Sequence, residues 1–212
     1  MKTLINTLAI LLGIGAATLH AQIAVAPSVT LSAQSAVQKL GLEMMKGNFK
    51  YGHERMYPRW RRRLAKRYGG MEKLEAQLAA ASQQKIKMRL RVTGYRADQP
   101  TTFFSVWRAK KIDPRTGKPM KDATGREMVV EHWLAVVPTV TRVQIPDMQS
   151  GGKIRTLEEQ SYAIAISEKG SKHWYFLTGM KPTVQDLRGL FPSLPPTEKE
   201  LNLPKSSVRE IK

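Results

Sequence analysis

Ser161-Tyr162-Ala163-Ile164-Ala165-Ile166-Ser167 is followed, across Glu168-Lys169-Gly170-Ser171, by Lys172-His173-Trp174-Tyr175-Phe176-Leu177-Thr178. In the first run Tyr162, Ile164 and Ile166 alternate with small residues. In the second, Trp174, Phe176 and Thr178 alternate with His173, Tyr175 and Leu177. A period of two is the signature of a strand, because successive side chains leave opposite faces. The polar residues between the runs, with Gly170 free to take a positive φ, predict a turn and hence a hairpin. A ribbon this apolar does not stand alone in water, so further strands and helices must cover it.

Working upstream, the same period predicts the partners. Residues 128–137 form a strand with Val130, His132, Leu134 and Val136 on one face and Glu131, Trp133, Ala135 and Val137 on the other. Pro138 has no N–H to give a ladder and predicts a bulge or an edge before residues 140–145 continue. Residues 101–111 form another strand, with Phe103 and Trp107 on one side and Phe104 and Val106 on the other. Ile86, Met88, Leu90 and Val92 alternate with Lys87, Arg89, Arg91 and Thr93, which predicts a half-buried strand with a basic outer face. Asp113-Pro114-Arg115-Thr116-Gly117 and Thr124-Gly125 mark a polar, protruding connector, and Gly151-Gly152 centre a loop over residues 147–153. No internal repeat or long linker is evident.

Before the strands the period is helical. Ala33, Val37, Leu40 and Met44 form one stripe, beginning near Ser32 as N-cap and ending at Gly47-Asn48. Pro58 suits the first position of a second helix, whose buried face is Tyr57, Trp60, Leu64 and Tyr68 and whose end is Gly69-Gly70. Met71, Leu74, Leu78 and Ala81 mark a third helix to about residue 83. Residues 182–191 predict one short helix after the strands. The proline-containing segment 192–212 shows little periodicity and reads as an extended or disordered tail.

Residues 1–21 read as a targeting segment rather than as fold: Lys2, an apolar run over residues 8–14, and a small Ala21 before Gln22. The run is too short for a ~30 Å hydrocarbon core, and no cysteine follows for lipid attachment. Residues 22–31 form a lead-in and residues 32–191 a single domain. The expectation is a periplasmic or secreted protein. With Cys 0, disulfides and thiolate metal sites are excluded, so packing alone must hold the fold. Thirty-five Lys and Arg oppose 17 Asp and Glu, a net charge of +18. Such an excess bears on partners rather than on fold. For an exported chain it points to anionic lipid, acidic glycan or acidic protein; nucleic acid would come first only in the cytosol.

Helices followed by antiparallel strands make an α+β pattern. The end of the first helix, Met45-Lys46-Gly47-Asn48-Phe49, the helix pair leading to Gly69-Gly70, and the aromatic His173-Trp174-Tyr175-Phe176 together resemble the NTF2-like/cystatin-like superfamily, over roughly residues 33–180. The resemblance implies N-terminal helices packed on one face of a curved antiparallel sheet of about five strands, often around a cone-shaped pocket. It also implies a choice between non-enzymatic binding domains and lyase- or isomerase-like enzymes, because this fold does not fix function.

The enzymatic alternative needs a carboxylate or histidine in the cone. His132 is the candidate base, with Glu131 and His53 behind it. A lone inward histidine is more often a core residue than a base, and no aspartate falls within a predicted strand. Four histidines without paired spacing give no metal site, and no cofactor fingerprint is present. The basic helix is the sharper signal: six Lys or Arg lie between Arg59 and Arg67. Like charges at i,i+4 cost about 0.2–0.5 kcal/mol per pair, so something should offset them. Glu43, Glu54, Glu72 and Glu75 are the candidate counter-charges. The predicted anion-binding residues are Arg59, Arg62, Arg63 and Lys66, with Trp60 and Tyr68 at their edge, extended by Lys87, Arg89 and Arg91. A cone filled by Phe103, Trp133, Trp174 and Phe176 would favour the binding domain; a polar pocket around His132 would favour the enzyme.

Overall fold

The computed structural model describes residues 25–147 and 153–211, so residues 1–21, the expected targeting segment, and Gly151-Gly152 lie outside the described residues. Four helices come first: α1 (Pro27–Met45), α2 (Phe49–Glu54), α3 (Pro58–Tyr68) and α4 (Met71–Lys87). Six strands follow: β1 (Arg91–Ala97), β2 (Thr102–Lys110), β3 (Val129–Asp147), β4 (Lys153–Glu168), β5 (Tyr175–Phe176) and β6 (Ser207–Ile211), with α5 (Val184–Leu190) before the last. The architecture is α+β, with N-terminal helices on a curved antiparallel sheet. Among the described residues no helix is long and apolar enough to cross a membrane.

Two long strands carry the sheet. β3 and β4 pair along their whole lengths, setting Leu134 beside Ile166 and Ala135 beside Ala165. On the outer side of β3, β1 and β2 lie end to end; on the outer side of β4, β5 and β6 do the same. Pro138 neither bulges nor ends β3. Its carbonyl accepts from Asp98 N (2.9 Å), in the turn where β1 stops and β2 has not begun. An antiparallel residue points its N–H and C=O to the same side, so the missing proline N–H falls in that gap.

Helices cover both faces of the sheet, not the single face expected. Under α1, Ala33, Val37 and Leu40 pack on Phe103, Ala135, Ala165, Trp174 and Phe176. The small side chains let α1 come close, and at Gly41 its backbone lies against the ring of Tyr95. On the other face Trp60, Leu64 and Leu74 of α3 and α4 meet Val106, Leu134, Val136, Ile164 and Ile166. The alternation in residues 161–167 is therefore a division between two cores.

Local boundaries differ from the sequence reading: of residues 172–178 only Tyr175–Phe176 are strand, β4 begins at Lys153 well before Ser161, and α2 is an additional helix. α1 starts five residues before Ser32, because Pro27 is itself a good first helical residue. Residues 86 and 87 belong to α4; the turn over Met88, Arg89 (φ 52°) and Leu90 precedes β1, so no strand begins at Ile86. The alternation there also fits a helix end, since Ile86 and Met88 are exposed. The segment 192–212 is no loose tail over its described part. Leu194 and Leu201 are buried in the larger core, and β6 pairs with β4 from Gln160 to Thr156.

Candidate anion-binding surface

α3 is anchored by what it buries. Pro58 opens it, Gly69 closes it at φ 82°, and Trp60 and Leu64 are fully buried. The Trp60 indole N–H donates to the Thr178 carbonyl (2.9 Å). Trp60 is thus a core residue and not an edge of the basic surface. Fixing that face directs the arginines and Lys66 around the remainder of the helix.

These cations fall into two groups. Arg61 pairs with Glu75 of α4 at 2.5 Å. Arg63 and Arg67 converge on Asp186 of α5: Arg63 Nη1 donates to the Asp186 backbone carbonyl (2.7 Å), and Arg67 donates to both carboxylate oxygens. Asp186 also completes the cap of α5, accepting from Thr183 N (3.1 Å) while the Thr183 hydroxyl accepts from Asp186 N (3.1 Å). Burial pushes the Asp186 carboxyl up, but the Arg67 hydrogen bond and the two from Thr183 outweigh it and hold the group below the usual carboxylate range. Arg63 is therefore part of the scaffold. Arg62 and Lys66 are exposed and, among the described residues, have no carboxylate partner; Arg59 is half-buried, and its charge acts on His132.

Of the four acids expected to offset the cluster, Glu75 alone reaches it. Glu43 binds Lys46 (2.9 Å) and Glu54 binds Lys50 (3.3 Å). Asp186 was not legible as a partner because it lies more than a hundred residues away; its one local sign was the Thr183-x-x-Asp186 capping pattern.

The second predicted stripe is not a stripe. Lys87 ends α4, Arg89 sits in the turn and Arg91 opens β1 opposite Gln144, all three exposed. Further along the sheet, Arg142 (3.0 Å) and Arg209 (2.5 Å) close on the two oxygens of buried Glu158, beside a groove of about 460 Å³. The Arg209 and Arg142 hydrogen bonds hold the Glu158 carboxyl below its ordinary value.

The histidines and Glu131 stand apart. His132 is half-buried, its ring 6.2 Å from that of Tyr57 and 6.1 Å from that of Phe191, with Nδ1 3.2 Å from the Val130 carbonyl. Burial holds the imidazole below its ordinary value; Val130 and Glu168 oppose this and the Arg59 charge adds to it. Phe103, Trp133, Trp174 and Phe176 do gather, but on the opposite face from His132. The two features that were to discriminate between binding domain and enzyme thus belong to different cores. Glu131 pairs with Lys169 (3.2 Å). His53 lies in α2 beside a groove of about 590 Å³ formed with α4, and burial, then Lys85 and Arg61, keep it below its ordinary value. Among the described residues, no group of three His, Asp or Glu could hold a metal ion. No protein-family model, curated protein or solved structure matches this chain.

Proposed function

We propose that this chain is an exported, non-enzymatic binding domain of NTF2-like type whose basic surface recognises an anionic partner at the cell envelope. The observation that carries the reading is the division of labour on α3. Arg61, Arg63 and Arg67 use the available carboxylates, whereas Arg62 and Lys66, one turn apart, face solvent with none. Exposed like charges at this spacing cost stability, and an anionic partner supplies the missing counter-charge. The enzymatic alternative rests on His132, whose ring packs edge-on against Tyr57 and close to Phe191; nothing around it favours a base over a core histidine.

The test is retention of the full chain on heparin, run alongside co-sedimentation with phosphatidylglycerol vesicles. An Arg59→Gln, Arg62→Gln, Lys66→Gln variant keeps helix propensity while removing three charges. It is expected to fold normally, to elute at clearly lower salt and to lose most vesicle binding. Wild-type binding should itself weaken steeply as the Debye length falls below ~10 Å. Unchanged binding by the variant overturns the reading.

A further inference from the structure

A second basic site lies away from α3. A groove of about 450 Å³ runs between α1, α2 and residues 172–176. One wall is fixed by Trp174, which is buried and donates its indole N–H to the Ser32 hydroxyl (2.9 Å). That bond leaves the Ser32 hydroxyl its own hydrogen to donate, and Ser35 lines the groove one helical turn on.

The other wall is Tyr51, and two cations converge on it. Lys39 Nζ stands 5.7 Å from the ring centroid and the Arg55 guanidinium 5.5 Å. Arg55 Nη1 also lies 3.1 Å from His173 Nδ1 and 3.2 Å from Nε2. Lys172 completes the basic lining, which includes no carboxylate among the described residues. This contrasts with the other arginine clusters, where Asp186 and Glu158 each hold two arginines. Cation–π contact with Tyr51 offsets part of the mutual repulsion, but it leaves the net positive charge in place. A concave site lined by one sign of charge concentrates counter-ions.

The donors define the ligand class. A guanidinium fork and two ammonium groups suit an oxyanion, and serine hydroxyls add neutral donors beside it. The groove falls within the size range of small-molecule sites and exceeds what a bare ion fills. We propose that this groove binds the phosphate group of a small phosphate ester, held by Arg55, Lys39 and Lys172 with the Ser32 and Ser35 hydroxyls donating. Its residues are not those of the α3 surface, so the site stands or falls independently of the basic-surface reading.

The experiment titrates the full chain with inorganic phosphate and with glycerol 3-phosphate, read by calorimetry and by the NMR signal of the Trp174 indole N–H. Saturable binding is expected, tighter for the ester, with a shift of that indole signal. Arg55→Gln with Lys172→Gln should weaken it about tenfold or more, while Arg62→Gln with Lys66→Gln leaves it unchanged. Lys39→Gln alone serves as the second variant if the double substitution lowers the thermal midpoint. Phosphatidylglycerol vesicles form the last arm. Binding to vesicles alone, dependent on Arg55 and Lys172, supports the site and identifies a lipid headgroup as the source. Absence of binding to every phosphate compound overturns the proposal, as does equal weakening by the groove and α3 variants.

Discussion

Arg67 grips both carboxylate oxygens of Asp186, a residue 119 positions further along the chain. The contact ties α3, which arises before any strand, to α5, which follows β5. It also engages a second arginine, since Arg63 binds the backbone carbonyl of the same residue, and the one carboxylate offsets one of the two charges.

Asp186→Ala should therefore destabilise the fold by about 2–3 kcal/mol, combining a lost cap at ~0.5–2 kcal/mol with charged hydrogen bonds at ~1.5–3 kcal/mol, discounted because both arginines are partly exposed. Asp186→Asn keeps an acceptor for the Thr183 N–H and should lose less. Because the folded carboxyl is held below its ordinary value, the contribution is fully present above an unfolded value of about 3.9. It disappears as pH falls through the folded value. Acid titration of the denaturation midpoint should thus show a weaker pH dependence in Asp186→Asn than in the wild type.

Leu201 makes a second prediction, from a segment without periodicity. It is buried against the larger core, and truncating such a leucine costs about 2–5 kcal/mol. Val208→Ala trims a mostly exposed β6 side chain and leaves the Arg209–Glu158 pair in place. Urea melts should show Leu201→Ala to be the costlier of the two changes; the reverse ranking would mean that β6 holds the edge of β4 more firmly than its exposure indicates.

What was legible in the sequence was what repeats locally. Tyr162, Ile164 and Ile166 against Ala163 and Ala165 announced a strand with two faces, and Pro58 and Gly69 bounded α3 almost to the residue. What was not legible depended on distant or singular contacts. Ile86-Lys87 alternates as a strand would, but continues α4 because no neighbour covers it. Leu194 and Leu201 have no period to reveal their burial. Arg63 looks like Arg62 in the sequence, and its contacts with Asp186 and Gly189 of α5 separate them.

Gly41 and Tyr95 offer a test of how closely α1 approaches the sheet. A Cβ on Gly41 would fall inside the Tyr95 ring. Gly→Ala inside a helix ordinarily gains ~1 kcal/mol, whereas overpacking costs ~1–3 kcal/mol, so Gly41→Ala is expected to be net destabilising. In a Tyr95→Ala background the clashing Cγ and ring atoms are gone and the same substitution should turn neutral or stabilising. A thermal-melt double-mutant cycle reads the coupling directly. Additive effects would show that α1 sits further from β1.

Neighbouring arginines on α3 give the last prediction. Arg63 lies against Gly189 and donates to Asp186, while Arg62 is exposed without a carboxylate partner among the described residues. Arg63→Gln should lower the denaturation midpoint, because the Asp186 carbonyl loses a charged donor worth ~1.5–3 kcal/mol. Its effect on heparin elution should be no larger than that of any single charge. Arg62→Gln should leave stability within about 0.5 kcal/mol yet shift heparin elution more than Arg63→Gln does. Urea denaturation and elution salt, measured on both variants, place each arginine on two axes. Should Arg62→Gln destabilise as much as Arg63→Gln, or shift elution less, the division of α3 into scaffold and binding residues is wrong.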